Sequence, residues 1–131
     1  MKNLEQKEQK LFVKWLNLKN IFHFAVKNES GTNFNGRGKM IGANDASMGK
    51  LKGVSDLIVM LDDGILFIEM KRPRKILKNG SKSCENLLKP EQKQFLDKVN
   101  NFKYAKGYAC YGFDEAKQTV EAYLNDGYEF N

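Results

Sequence analysis

Two acidic residues and a lysine interrupt a pair of apolar segments that would otherwise carry no charge. Asp56 begins the first segment, and Glu69 and Lys71 lie at the end of the second. Charged residues are rarely buried in strands, so such exceptions are expected at functional sites. Two carboxylates supply the oxygen ligands that Mg²⁺ or Mn²⁺ prefers, and a neighbouring ammonium can stabilise negative charge. A salt bridge at the end of a surface hairpin is the alternative interpretation.

The two apolar segments flank an Asp-Asp-Gly sequence at 62–64, a pattern typical of two strands joined by a tight turn. With the last two of these residues as the loop, Asp56 lies opposite Lys71. Glu69 then lies opposite Ile58, two residues along on the same face. Opposed side chains are about 5 Å apart and diagonal ones about 7–8 Å apart, so the acids can share a cation. A three-residue loop would instead send Asp56 to the other face.

The spacing of Asp56 and of the Glu-Met-Lys sequence at 69–71 resembles the core of the PD-(D/E)XK nucleases. A longer set of residues resembles the VRR-NUC branch of that superfamily, and it comprises the segments 53–57, 67–73 and 89–93. The resemblance covers about residues 5–124. The family has proline before the aspartate where this chain has Ser55, and we expect this difference to affect the turn into the strand and not the chemistry.

The resemblance implies a metal-dependent DNA endonuclease that hydrolyses phosphodiester bonds, with Mg²⁺ as cofactor and Mn²⁺ as a substitute. The implied metal ligands are Asp56, Glu69, the main-chain carbonyl of Met70 and, directly or through water, Glu5. Glu8, one turn further along the same predicted helix, is the competing ligand. The implied catalytic residues are Asp56, Glu69, Lys71 and Gln92. In that group Lys71 stabilises developing charge or orients the nucleophilic water, and Gln92 orients the water or a phosphate.

The same resemblance implies the partners. Stand-alone VRR-NUC proteins resemble Holliday-junction resolvases of phages or bacteria that act as homodimers, so branched DNA and a second copy of the chain are expected. Two copies would bring two sites to two strands. The cytoplasm of a bacterial cell or of a phage-infected host is the expected location. A nucleic-acid-binding module without catalysis is the alternative function, and a protein-binding adaptor is a third.

Positive charge favours a polyanionic partner. The 131 residues carry a formal net charge of +6, which attracts phosphate backbones in a salt-dependent way. Basic residues lie on both sides of the predicted hairpin, and the resemblance adds an asparagine that also fits an ordinary turn. The residues predicted to contact DNA are Asn28, Lys50, Lys52, Arg72, Arg74 and Lys75.

Length and composition predict a single domain over residues 1–131. No apolar run approaches the 18–20 or so residues that span a bilayer, so no membrane partner is expected. Cys84 and Cys110 form no CxxC pair and are expected to be free thiols in a reducing compartment.

Periodicity predicts an α/β fold in which a mixed sheet is flanked by helices on both faces. The resemblance gives this sheet the restriction-endonuclease-like fold. The sequence also predicts that Gly107 ends the helix that begins at Pro90 and that Asp114 caps the last predicted helix. The predicted elements are a helix over about 4–18 with a stripe of Leu4, Leu11, Trp15 and Leu18, a strand over 21–26, the hairpin, a helix from Pro90 to about 103 with a stripe of Phe95, Leu96, Val99 and Phe102, a strand over 108–112 and a helix over about 114–124.

Overall fold

The structure is a computed structural model that describes residues 2–26, 47–83 and 88–125. The elements are α1 (Lys2–Leu18), β1 (His23–Ala25), β2 (Leu57–Leu61), β3 (Gly64–Lys71), β4 (Lys75–Ile76), β5 (Lys82–Ser83), α2 (Pro90–Val99), β6 (Ala105–Tyr111) and α3 (Phe113–Asn125). The strands form a four-stranded sheet, in the order β1-β2-β3-β6, and a separate two-stranded hairpin, β4-β5. The β1–β2 and β2–β3 pairs are antiparallel, and the β3–β6 pair is parallel. The predicted mixed α/β class is therefore confirmed.

The main hydrophobic core lies between one face of this sheet and helices α1 and α3. Leucine, isoleucine and valine dominate β2 and β3, as expected for strands buried inside a fold. Alternate residues of these strands face the same way, so one face of the hairpin collects a continuous apolar surface. The buried cluster consists of Phe12, Trp15, Leu16, Leu57, Val59, Leu66, Ile68, Met70, Cys110, Ala116 and Val120.

Helix α2 contacts the side chains that point away from this core. The ring of Phe67 packs edge-on against that of Phe95, with centroids 5.7 Å apart. Phe67 is the neighbour of core residue Ile68 in β3, and neighbouring strand residues point to opposite faces. Gly107 of β6 pairs with Phe67, and a Cβ there would lie 2.7 Å from the Leu96 side chain. The missing side chain of Gly107 therefore lets α2 approach the sheet.

This role of Gly107 shows that its prediction as a helix-ending residue was wrong. The helix ends at Val99, and Asn100 follows as its cap, with its N–H donating to the carbonyl of Leu96. Because the helix is shorter than predicted, Phe102 lies beyond it and is 62% exposed. Gly107 instead belongs to β6, where its N–H donates to the side chain of Asn100.

The apolar stripe predicted for α1 also needs correction. Leu4, Leu11 and Leu18 are exposed, whereas Phe12 and Leu16 are fully buried beside Trp15. Residues 12, 15 and 16 are spaced by three and four, so they share the face that packs on the sheet. Leucine is common at both buried and exposed positions, which explains why counting leucines misplaced the stripe.

The hairpin of β2 and β3 forms with a different register from the one predicted. Leu61 pairs with Gly64, so the two-residue loop is Asp62–Asp63. Neither aspartate has a positive φ, so the turn is not the mirror-image type that an Asp-Gly loop favours. The register shifts by two residues, and continuing it past Leu57 places Asp56 opposite Glu69. A shift of two preserves the face of every side chain, so the acids still share one face.

Among the described residues, no helix is both long enough and apolar enough to cross a membrane.

Candidate active site

The two predicted acids lie together where β2 begins and β3 ends. Asp56 directly precedes β2 and is half-buried, while Glu69 in β3 is only 4% exposed. The Asp56 Oδ2 atom accepts a hydrogen bond of 2.9 Å from the main-chain N–H of Met70. The carboxyl groups of Asp56 and Glu69 also hydrogen-bond to each other. The structure thus brings both acids to one point.

The main chain of Met70 faces the same point. In a strand, the N–H and C=O of one residue point to the same side, and successive residues alternate. The carbonyl of Lys71 accepts a 3.0 Å hydrogen bond from Gly112, on the β6 side. The N–H of Met70 points the other way, to Asp56. The Met70 carbonyl therefore faces the acids, while its side chain is fully buried in the core.

Proximity and burial change the acidity of both carboxyl groups. Burial, followed by the charge of Asp56, raises the pKa of Glu69 to about 8, and Lys71 partly opposes this. Burial also raises the pKa of Asp56, although the hydrogen bond from Met70 favours its charged form. The Glu69 carboxyl group therefore keeps its proton to a higher pH than an exposed glutamate does. Two acids that resist joint ionisation gain from a cation placed between them.

Gln92 connects Glu69 to Lys71. Its side-chain nitrogen donates to Glu69 Oε2 over 3.0 Å, and its side-chain oxygen accepts from Lys71 Nζ over 3.0 Å. The same oxygen accepts from the main-chain N–H of Lys89 over 2.9 Å. Gln92 is the third residue of α2, so this contact is the helix-to-cap half of a capping box. The side-chain amide of Gln92 therefore caps the start of α2 and also orients Glu69 and Lys71.

Gly53 explains how α2 reaches the site. It has a φ of +82°, and a Cβ there would lie 2.3 Å from the carbonyl oxygen of Glu91 and 3.0 Å from the nitrogen of Gln92. Only glycine accommodates both that φ and that approach. The loop before Asp56 thus packs directly on the turn of α2 that carries Gln92.

Of the two acids predicted in α1, Glu5 is the one near the site. Burial raises the pKa of its carboxyl group, and the charges of Lys71 and Asp56 act on it. Glu8 points elsewhere, because its Oε1 atom accepts a 2.7 Å hydrogen bond from the N–H of Phe113 and so caps α3. This contact also shows that the prediction of Asp114 as the cap was wrong, since Asp114 lies inside the first turn.

The donor set fits a hard cation that keeps several waters. In the described ranges, no three His, Cys, Asp or Glu side chains converge closely enough to hold one ion. Two carboxylates and a main-chain carbonyl do converge here, and Mg²⁺ is often held by only one or two carboxylates. Asp56, Glu69 and Met70 would therefore hold the ion, and Glu5 would reach it through water.

The basic residues predicted to contact DNA differ in their surroundings. Lys50, Lys52 and Lys75 are exposed, and Arg72 is half-buried next to Lys71. The guanidinium of Arg74 pairs with the carboxylate of Glu115 in α3, so it connects the segment between β3 and β4 to that helix. Asn28 lies outside the described residues. The DNA contacts of all six remain predictions.

Ser55, the residue before Asp56, buries a polar hydroxyl group. It is fully buried, and its hydroxyl group has no hydrogen-bond partner in the described part of the chain. Its neighbour Asp56 points into the site. Ser55 therefore contributes packing to the turn before β2, and its hydroxyl group adds no hydrogen bond among the described residues.

Sequence reasoning missed two of these features. The pairing of Arg74 with Glu115 joins residues far apart in the sequence, and no local pattern indicates it. The contact of Gln92 with Lys89 does have a signal, because a glutamine three residues after a helix cap is typical of a capping box.

No family model, no characterised protein and no solved structure matches the chain. The likeness to the VRR-NUC branch therefore stays a prediction that depends on the motif residues.

Proposed function

We propose that the chain is a metal-dependent DNA endonuclease that hydrolyses phosphodiester bonds. The observation that supports this function best is the convergence of Asp56 and Glu69 beside Lys71, with the main chain of Met70 facing them. An ordinary surface salt bridge would leave these groups exposed. Here Glu69 and Lys71 are both 4% exposed, and Gln92 hydrogen-bonds to both. Buried ionisable groups held in this way are typical of functional sites.

Each residue has a role in this chemistry. A bound divalent cation supplies a water of lowered pKa and neutralises charge on the phosphoryl oxygens. Asp56, Glu69 and the Met70 carbonyl would hold this cation. The ammonium of Lys71 is beside the acids and stabilises the negative charge that develops on the attacked phosphate. Gln92 fixes that ammonium and the Glu69 carboxylate relative to each other.

The substrate follows from charge and from the resemblance. A net charge of +6 and exposed lysines beside the site favour binding to phosphate backbones, which is independent of sequence. Branched DNA, a homodimer with two sites and a cytoplasmic location come from the likeness to stand-alone VRR-NUC proteins. They are parts of the same proposal.

A nuclease assay with matched variants tests the function. A four-way junction, a flap, a fork and a plain duplex are incubated with Mg²⁺ and the wild type, Asp56→Ala or Asp62→Ala. Asp62 lies in the exposed loop at the opposite end of the same hairpin. We expect Asp62→Ala to cut like the wild type. Asp56→Ala should lose about 10²–10³-fold in rate, the loss typical for removal of a transition-state contact.

Two results would contradict the proposal. Equal cutting by the wild type and Asp56→Ala would place the activity elsewhere. Salt-dependent binding of DNA by the wild type without any cutting would favour the non-catalytic module.

A further inference from the structure

The β4–β5 hairpin is an exposed arm that follows β3 in the sequence. Leu77 donates its N–H to Ser81 over 2.7 Å, and Gly80 donates to Leu77 over 2.9 Å. Gly80 has a φ of +87°, which completes a three-residue loop of a common hairpin type. Asn79 accepts hydrogen bonds from both the N–H and the hydroxyl of Ser81. Every residue from 75 to 82 is exposed.

The base of this arm is fixed to the domain. A Cβ at Gly112 would lie 3.2 Å from Pro73, so these two residues are in close contact. The guanidinium of Arg74 stacks over the ring of Tyr111, 4.4 Å from its centroid, and pairs with Glu115. These contacts hold the chain directly after Lys71 and so set where the arm begins. Extended chain spans at most about 3.5 Å per residue, so Leu77 lies within about 20 Å of Lys71.

The arm combines apolar and positive groups. Ile76 is 72% exposed and Leu77 is 44% exposed. Lys78 lies in the loop, and Lys82 is paired with Ile76 in the strand. A two-stranded hairpin alone is marginally stable in water, so two exposed aliphatic side chains on it contribute little to folding. Aliphatic wedges flanked by cations are what proteins insert between DNA base pairs.

We infer that the β4–β5 hairpin inserts Ile76 into an opened base step of DNA, with Lys82, its cross-strand partner on the same face, and Lys78 of the loop against the adjacent phosphates. Unstacking an intact step costs a few kcal/mol, and at a branch, bulge or mismatch that stacking is already broken. The arm therefore selects damaged or branched DNA within about six base pairs of the cut, given a rise of about 3.4 Å per pair. This inference rests on the proposed function, since it takes DNA as the substrate.

Binding measured without divalent cations tests the inference separately from hydrolysis. Fluorescence anisotropy compares a continuous duplex with the same duplex carrying one unpaired adenine. The proteins are the wild type, Ile76→Ser/Leu77→Ser and Leu18→Ser. Leu18 is 75% exposed at the end of α1 and provides the matched control. A milder variant, Ile76→Ala, is included in case the double variant does not fold. Thermal melting checks the folding of all four proteins.

The expected readout is a ratio of affinities. The wild type and Leu18→Ser should bind the bulged duplex about tenfold more tightly than the continuous one, a difference of about 1.4 kcal/mol. The double variant should lose this preference, and Ile76→Ala should lose part of it. A double variant that keeps the tenfold ratio would overturn the inference.

A lipid surface is the other partner that suits aliphatic and cationic groups. Vesicles containing phosphatidylserine are therefore tested with the same proteins. Vesicle binding that depends on Ile76 and Leu77, without any bulge preference, would overturn the inference in favour of a membrane. A bulge preference in a protein that cuts no DNA would support the arm and reject the proposed hydrolysis.

Discussion

At the scale of single residues, the site contains two carboxyl groups that repel each other when both are ionised, unless a positive charge lies beside them. Asp56 and Glu69 hydrogen-bond to each other, and Lys71 supplies one buried positive charge. The sequence was sufficient to identify these residues because charge within an apolar strand is conspicuous. It could not give the protonation state, which depends on burial and on the distance between side chains.

The acid pair predicts how stability depends on pH in the absence of metal. The folded chain holds the Glu69 proton up to a pH of about 8, whereas the unfolded chain releases it near its usual pKa. Unfolding therefore releases a proton between these values, and stability should fall as pH rises through that range. The slope is at most about 1.4 kcal/mol per pH unit for each proton. Asp56, whose pKa is also raised, acts in the same direction.

Urea unfolding in EDTA at several pH values measures this dependence. Glu69→Gln should flatten the slope, because glutamine does not titrate. A wild type whose stability rises with pH over this range would contradict the assigned direction of the shift.

The side-chain amide of Gln92 is predicted to affect cleavage indirectly, by orienting Glu69 and Lys71. Gln92→Leu removes the contacts that orient Glu69 and Lys71, and losses of about 10–100-fold are typical when groups that orient metal ligands are removed. Gln94→Leu makes the same change at an exposed position of the same helix. Cleavage rates over a range of Mg²⁺ concentrations compare the two. A rate for Gln92→Leu equal to that of Gln94→Leu would show that the amide only caps the helix.

At the scale of elements, the site depends on how closely a loop approaches a helix. The loop before β2 contacts the first turn of α2 through Gly53, and this contact sets the distance from Asp56 to Gln92. Sequence patterns located both elements but gave no contact between them. The hairpin shows the same limit: alternation fixed which residues share a face, and the turn decided which residues pair.

Alanine variants of two glycines separate the cost of a positive φ from the cost of a steric collision. Gly49 and Gly53 have similar φ values of +89° and +82°, but a Cβ at Gly49 would meet nothing within 4 Å. Gly49→Ala should cost about 1–2 kcal/mol in unfolding free energy, from φ alone. Gly53→Ala should cost about 1–3 kcal/mol more, because the methyl group collides with the carbonyl of Glu91.

Urea unfolding measures both costs, and cleavage assays follow at a temperature where both variants are folded. Gly53→Ala should also lose activity there, since relief of the collision moves Gln92. Equal losses of stability in the two variants would mean that the loop and α2 do not touch as described.

At the scale of the whole molecule, sequence patterns predicted the class of fold better than its packing. Composition and periodicity led to a mixed sheet with helices, and the structure confirms it. The buried face of α1 and the end of α2 were misplaced, because Leu11 and Phe102 look like core residues until the neighbouring elements are known. The cap that Glu8 provides for α3 joins the first helix to the last one described, and only the three-dimensional arrangement reveals it.

We expect the protein to bind a divalent cation at the pair of Asp56 and Glu69. A Mn²⁺ titration by calorimetry tests this prediction most directly. Wild type, Asp56→Asn and Asp63→Ala are compared, with Asp63 an exposed loop residue of the same hairpin. We predict saturable binding to the wild type and to Asp63→Ala, with release of the Glu69 proton, and loss of that binding in Asp56→Asn. Equal Mn²⁺ binding by Asp56→Asn and the wild type would contradict the assignment of the acid pair as the metal site.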